Sequence, residues 1–240
     1  MAVAVALVAA SAPARAQDVG NGFLFGTPQA SFSLRGGMTA PQARGDLFGF
    51  VTNRFTLGRG DFRAPLIDAD LSFRLAPRVD LDLAAGYSRS NRASEFRHWV
   101  DNNNLPIQQT TALARVPLTA SLRVYLTPRG RSVGELAWIP ARFAPYVGAG
   151  GGAMWYRFMQ DGDFIDFNTT NVFPDRFTSS GWTKTAQVMA GGDYTLNPRL
   201  AVTGDARYHW AKAKLGPDFV GFDGIDLSGF ALTLGFTVRL

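Results

Sequence analysis

The sequence predicts an all-β fold: an eight-stranded antiparallel up-and-down transmembrane β-barrel, preceded by a cleavable signal peptide. Three observations carry that expectation. Apolar residues recur at period two in eight segments, tight turns alternate with long polar loops between them, and the opposite parity of the same segments is charged. The chain is 46% hydrophobic, yet its mean hydropathy is −0.01. Apolar residues are therefore finely mixed with polar ones, and past the first ten or so residues no run approaches the ~20 needed for a spanning helix.

Residues 1–16 read MAVAVALVAASAPARA. An apolar core from Ala2 to Ala10 is followed by Ala14-Arg15-Ala16, a small-x-small cleavage pattern that makes Gln17 the expected new terminus. Residues 17–28 then read as a short periplasmic segment, and 29–240 as the barrel.

The first strand runs from about Gln29 to Met38, with Ala30, Phe32, Leu34 and Met38 on one face. The second carries Ile67, Ala69, Leu71, Phe73 and Leu75, and the third Val79, Leu81, Leu83, Ala85 and Tyr87. The fourth has Val116, Leu118, Ala120, Leu122, Val124 and Leu126; the fifth, Val147, Ala149, Ala153 and Trp155. Trp182, Ala186, Val188, Ala190 and Tyr194 mark the sixth, and Leu200, Val202, Ala206, Tyr208 and Trp210 the seventh. The eighth is the clearest: Phe230, Leu232, Leu234, Phe236, Val238 and Leu240 alternate with smaller or polar residues. A helix would scatter these six around its circumference, whereas a strand sets them on one face.

Ala76-Pro77-Arg78 and Leu196-Asn197-Pro198-Arg199 are tight turns, and Thr127–Ala141 is a longer one. The other connections, at about 39–64, 91–109, 159–180 and 212–228, are long and polar. Short turns at one end and long loops at the other match an outer-membrane barrel with periplasmic turns and extracellular loops. Trp182 and Tyr194 are twelve residues apart. At ~3.3 Å per residue and a ~40° tilt this spans roughly 30 Å of height, close to the ~25 Å apolar band. Trp155, Trp182, Tyr208 and Trp210 would form the extracellular aromatic girdle, and Phe143 and Tyr194 the periplasmic one.

The inward parity holds Arg35, Asp68, Asp70, Arg74, Asp80, Asp82, Arg115, Arg123, Asp193, Asp205, Arg207, His209 and Arg239. His209 aside, these are six Arg and six Asp, with no Lys. A planar guanidinium pairs with carboxylates bidentately and desolvates at lower cost than an ammonium. The interior of an eight-stranded barrel is just wide enough for side chains to fill. The expectation is an Arg–Asp network that plugs the lumen, the alternative being a narrow wet channel. Arg74→Ala or Asp205→Ala should then harm folding more than any surface change.

The remaining motifs carry less. Gly148-Ala149-Gly150-Gly151-Gly152 is followed by no Gly-Lys-Ser/Thr, so it reads as wall glycines beside large inward side chains and not as a phosphate loop. Asp161-Gly162-Asp163 with Asp166 lacks calcium-loop spacing. His98 falls in a loop; His209 lies near the extracellular rim with no serine two residues on, so an enzyme acting on lipid is not expected, and neither is a metal or cofactor. There is no cysteine, and the net charge of +5 comes from scattered residues, which excludes a nucleic-acid partner. Phe48, Phe50, Phe55, Phe62, Phe164, Phe167, Phe173, Phe177, Phe219 and Phe222 crowd the long loops. Three readings stay open for them: a binding surface, a packed cap, or membrane contact.

Ala144-Pro145-Tyr146-Val147-Gly148-Ala149-Gly150-Gly151-Gly152, the Leu196–Leu200 turn and the alternating last strand resemble the outer-membrane β-barrel superfamily. That group includes the OmpA-type transmembrane domain, OmpW-type proteins and opacity-like adhesins. The resemblance covers essentially the whole chain after the leader and implies a fold and not an activity. It implies a monomer in contact with outer-membrane lipid and lipopolysaccharide, handled by the barrel-assembly machinery during biogenesis, with a surface ligand at its loops. Such proteins usually end in Phe or Trp, whereas this chain ends in Leu240, and no OmpA-type peptidoglycan-binding domain follows. The expected function is envelope structure or surface interaction through the loops of a shut barrel. The alternative is an OmpW-like conduit for small hydrophobic molecules.

Overall fold

The computed structural model describes residues 22–101, 103–134, 136–166, 169 and 171–240. The leader at 1–16, Gln17 and Phe167 lie outside the described residues. Eight long strands form one sheet: β1 (Ala30–Pro41), β2 (Ala64–Ala76), β3 (Val79–Val100), β4 (Pro106–Tyr125), β5 (Phe143–Ile165), β6 (Val172–Thr195), β7 (Leu200–Ala213) and β8 (Gly229–Arg239). Each pairs antiparallel with the next. Closure comes from β8 pairing back onto β1, from Gly229↔Pro41 to Arg239↔Ser31. The ring therefore has no free edge.

Burial is inverted relative to a water-soluble sheet. Leu34, Ile67 and Leu234 are 54%, 64% and 64% exposed, while their neighbours Arg35 and Asp68 are 1% and 5% exposed. An outward apolar band around a polar interior is the arrangement a barrel needs in lipid. The girdle residues sit on that outer face. Trp155 pairs directly with Trp182, and Phe143 with Tyr194. The Tyr208 ring packs edge-on against Trp210 and Phe230, with centroids 4.6 and 4.7 Å apart. The Arg142 Nε donates to the Tyr194 hydroxyl at 2.9 Å.

The rim is uneven. Strands β3 to β6 have 22, 20, 23 and 24 residues, against 11 to 14 for the other four. This corrects the expected loops at 91–109 and 159–180, most of which is strand. Above the lipid both sheet faces meet water or loop, so the apolar alternation fades while the backbone ladder continues. The true turns are short. At the first, the Asp101 carboxylate accepts from the Asn103 and Leu105 backbone N–H groups at 2.8 and 2.7 Å, and Asn104 takes a φ of 62°.

The first long loop contains helix α1 (Asp46–Arg54) and a 3-10 turn at Arg59–Phe62; the fourth contains a 3-10 turn at Pro217–Phe219 and a two-residue strand, Ile225–Asp226. At the short-turn end, the 126–142 connection folds into a hairpin of Gly130–Val133 with Ala137–Pro140. Leu24–Phe25 adds to it as a third strand, so part of the expected N-terminal segment is tied down. In the Leu196–Arg199 turn, the Asn197 side chain accepts from the Arg199 and Leu200 N–H groups at 3.0 and 2.8 Å.

Two glycines show how tightly the wall is filled. A Cβ on Gly150 would lie 2.2 Å from the Ala120 carbonyl oxygen. One on Gly191 would lie 2.6 Å from the Asp205 Cβ and 2.7 Å from the Tyr146 hydroxyl. Gly191→Val is accordingly expected to lower the urea midpoint of the vesicle-inserted barrel, by about 1–3 kcal/mol of stability. An unchanged midpoint would show that the wall can give way there.

Candidate functional site: the lumen

The inward side chains build three layers. The middle layer is ionic. Arg35 from β1 pairs with Asp68 and Asp70 of β2, and reaches Asp205 of β7 at 3.1 Å. Arg207 of β7 contacts Asp70 and Asp205, both at 3.0 Å, with Asp68 at 3.5 Å. Arg123 of β4 binds Asp82 of β3 at 2.8 Å. Three guanidinium groups and four carboxylates from five strands thus interlock across the bore. Hydroxyls complete the layer: Ser72 donates to Asp82 at 2.6 Å and Thr233 to Asp205 at 3.0 Å. The Tyr146 hydroxyl is 3.3 Å from Asp205, and the Arg123 guanidinium lies 4.4 Å from the Tyr146 ring centroid.

At the short-turn end Asp80 pairs with Arg129, at 2.6 Å, a residue outside the inward set expected from the sequence. Arg129 comes from the connection after β4 and lies 4.7 Å over the Tyr125 ring. The prediction that Arg74→Ala would be among the most damaging changes is therefore revised. Arg74 is half-buried, lines the mouth, and forms no salt bridge among the described residues. Asp193 meets hydroxyls instead of an arginine: Tyr125 donates at 3.0 Å and Thr203 at 2.7 Å. Arg239 donates to the Thr195 hydroxyl and the Pro198 carbonyl at 2.8 and 3.1 Å. The cavity enclosed by Arg74, Asp80, Arg129 and Arg239 measures about 20 Å³. That is room for about one water.

The upper layer begins with Arg115, which donates to the Leu227 carbonyl at 2.8 Å and to the Thr39 hydroxyl. It joins no carboxylate among the described residues, so it stands apart from the middle network. His209 is buried here, and the Ser228 hydroxyl nearby is bound to the Ala211 backbone, 3.1 Å from N and 3.3 Å from O. Among the described residues, the His209 Nδ1 has no hydrogen-bond partner.

Above Arg115 lies an apolar dome. Leu47, Phe48 and Val51 of α1 pack with Phe55, Phe62, Phe158, Phe219 and Leu227, all buried. Phe50, Phe177 and Phe222 pack against it partly buried, while Phe173 remains 36% exposed. Most of the described loop phenylalanines therefore form a packed cap. The cap is strapped down by polar contacts: the Asp223 N–H donates to Asp46 at 2.7 Å, and the Arg97 Nε donates to the Phe55 carbonyl at 2.7 Å. Asp161, in the acidic stretch that lacks calcium-loop spacing, pairs with Arg176 at 2.9 Å, which lowers the pKa of its carboxyl through that hydrogen bond.

The sequence missed Arg129, Tyr125, Tyr146 and the hydroxyl set. Tyr125 shares the inward parity of Arg123 on β4, and Tyr146 alternates with the outward Val147 on β5, so both could have been found from parity. Arg129 lies in a turn, where parity gives no information.

No protein-family model matches the sequence, and no curated protein does. Among solved structures, the chain is similar to the outer membrane protein OprG from Pseudomonas aeruginosa, at 15% identity and a TM-score of 0.47, covering 90% of this chain and 99% of that one. It is similar to Neisserial surface protein A at 11% identity and a TM-score of 0.44, covering 92% and 98%. It is also similar to the E. coli outer membrane protein W at 16% identity and a TM-score of 0.39, covering 90% and 99%.

Proposed function

We propose that the chain is an outer-membrane barrel whose lumen is shut, serving envelope structure or surface interaction through its long-loop end. The observation that carries this reading is the middle layer, where Arg207 of β7 reaches Asp70 of β2 and Asp82 of β3 across the bore, Arg35 reaches Asp205, and Arg123 pairs with Asp82 on the neighbouring strand. A permeating ion would have to separate buried charge pairs and then pass the apolar dome, and both steps are costly. Function then moves outward to the tall β3–β4 and β5–β6 hairpins. Trp99, Val100 and Leu105 stand exposed at the tip of the first.

Single-channel recording of the refolded protein in planar bilayers tests the seal. The expected result is no resolvable steady conductance. Steady open-channel current from the unmodified chain would overturn the sealed reading and favour a conduit of the OmpW kind.

A further inference from the structure

The short-turn end of the barrel is basic and holds unsatisfied groups. Arg74, Arg129 and Arg239 line its mouth cavity against two carboxylates, Asp80 and Asp193. Both carboxylates are buried, and they are the only acidic side chains among the described residues of this end. One Asp80 oxygen is taken by Arg129, and Asp193 is held by Tyr125 and Thr203. Among the described residues, the Arg129 Nη2 and the Asp80 Oδ1 are buried without a hydrogen-bond partner, and no salt bridge reaches Arg74. A buried donor and a buried acceptor left unpaired in one cavity fit a ligand that carries both kinds of group.

An open strand edge leads to this mouth. In the small sheet, Ala137–Pro140 lies between Leu24–Phe25 and Gly130–Val133, so one side of Gly130–Val133 is unpaired. The Ala141 N–H donates to the Arg129 carbonyl at 2.7 Å, and the alternation of an antiparallel ladder then turns the main chain of Gly130 and Ser132 to the open side. Arg131 and Val133 stand exposed on this strand. Arg78 is exposed beside the mouth, its carbonyl accepting from the Tyr125 N–H at 2.8 Å. Every basic side chain described at this end is an arginine, whose planar fork matches a carboxylate.

We infer that this end captures the C-terminus of an acidic peptide of a protein partner, laid as an extended strand along Gly130–Val133 with its terminal carboxylate in the mouth. The carboxylate supplies acceptors for Arg129 and Arg74, and the last amide N–H of the peptide is the donor that Asp80 lacks. A cavity of about 20 Å³ admits one carboxylate oxygen and leaves the rest of the peptide outside, where the strand edge takes it up through main-chain hydrogen bonds. Acidic side chains of the peptide then meet Arg78 and Arg131. A peptide of alternating D- and L-residues, as in the cell wall, does not continue a strand of L-residues. The site lies at the opposite end from the surface proposed above and does not depend on whether the lumen is shut.

The test is isothermal titration of the full refolded chain in detergent. The probe is an acetylated all-L hexapeptide of alternating glutamate and valine that ends in a free carboxylate. Heat-modifiable migration in SDS gels checks first that each variant is a folded barrel. One saturable site per chain is expected, and amidating the peptide terminus should weaken binding at least tenfold. Arg74→Gln, which removes a guanidinium from the mouth, and Ser132→Pro, which removes a main-chain donor from the open edge, should each do the same. Absence of saturable binding, equal binding of the amidated peptide, or equal binding by either variant would overturn the proposal. At least tenfold tighter binding of a cell-wall peptide ending in D-alanine would overturn it in favour of the wall itself. If a variant does not fold, the comparison of carboxylate and amide on the unmodified chain still decides.

Discussion

Arg207→Leu is expected to destabilise the barrel by about 3–5 kcal/mol, read as a large fall in the urea midpoint of the vesicle-inserted protein. Arg207 contacts Asp70 and Asp205 at 3.0 Å and Asp68 at 3.5 Å, and it is 3% exposed. Its loss leaves Arg35 and Arg123 facing four carboxylates: Asp68, Asp70, Asp82 and Asp205. Water cannot follow into a bore filled by side chains, so the uncompensated charge carries its desolvation cost in full. Adding Asp205→Asn restores the charge difference, and the double variant should lose clearly less than the two single losses combined. Strict additivity, or an unchanged midpoint for Arg207→Leu, would show that the network is not a unit.

Phe48→Ala has a comparable energy at stake and a different outcome. Phe48 is fully buried, with ring centroids 4.9 Å from Phe62 and 6.0 Å from Phe158, both edge-on. Truncating such a ring costs about 3–5 kcal/mol. Helix α1 belongs to a loop and not to the hydrogen-bonded ring, so the cost falls on docking of the cap. The expected result is rapid proteolytic cleavage within residues 42–63 while the heat-modifiable gel shift of the barrel persists. Equal cleavage rates in the two proteins would mean that α1 is held by something other than its aromatic face.

The strands were legible because two solvents impose one period. Lipid selects Leu34, Ile67 and Leu234, the lumen selects Arg35, Asp68 and Thr233, and alternation follows wherever both act. Beyond the lipid the rule stops, so the upper parts of β3 to β6 looked like loops. Parity also assigned the inward arginines and aspartates, but it could not say which pair with which. Partner choice depends on how strands at distant sequence positions align around the ring, and Asp80 turned to Arg129 in a connection where no parity exists. The dome was less legible still. Phe48, Phe55, Phe62 and Phe219 follow no strand period, and only the fold brings them to one side of the mouth.

The ionic layer has a consequence for how faithfully the chain can assemble. Lipid enforces which residues point outward, but a strand that slips by two residues keeps every side chain on its own side. The membrane therefore cannot distinguish the native alignment from one displaced by ~6.6 Å. The charged layer can. A two-residue slip of β7 against β8 or β6 would carry Asp205 and Arg207 away from Arg35 and Asp70, stranding ions in the bore. The same holds at the last seam, where Gly235↔Arg35 fixes β8 against the first strand. Three arginines and four aspartates thus act as alignment marks, distinguishing between arrangements that the bilayer accepts equally.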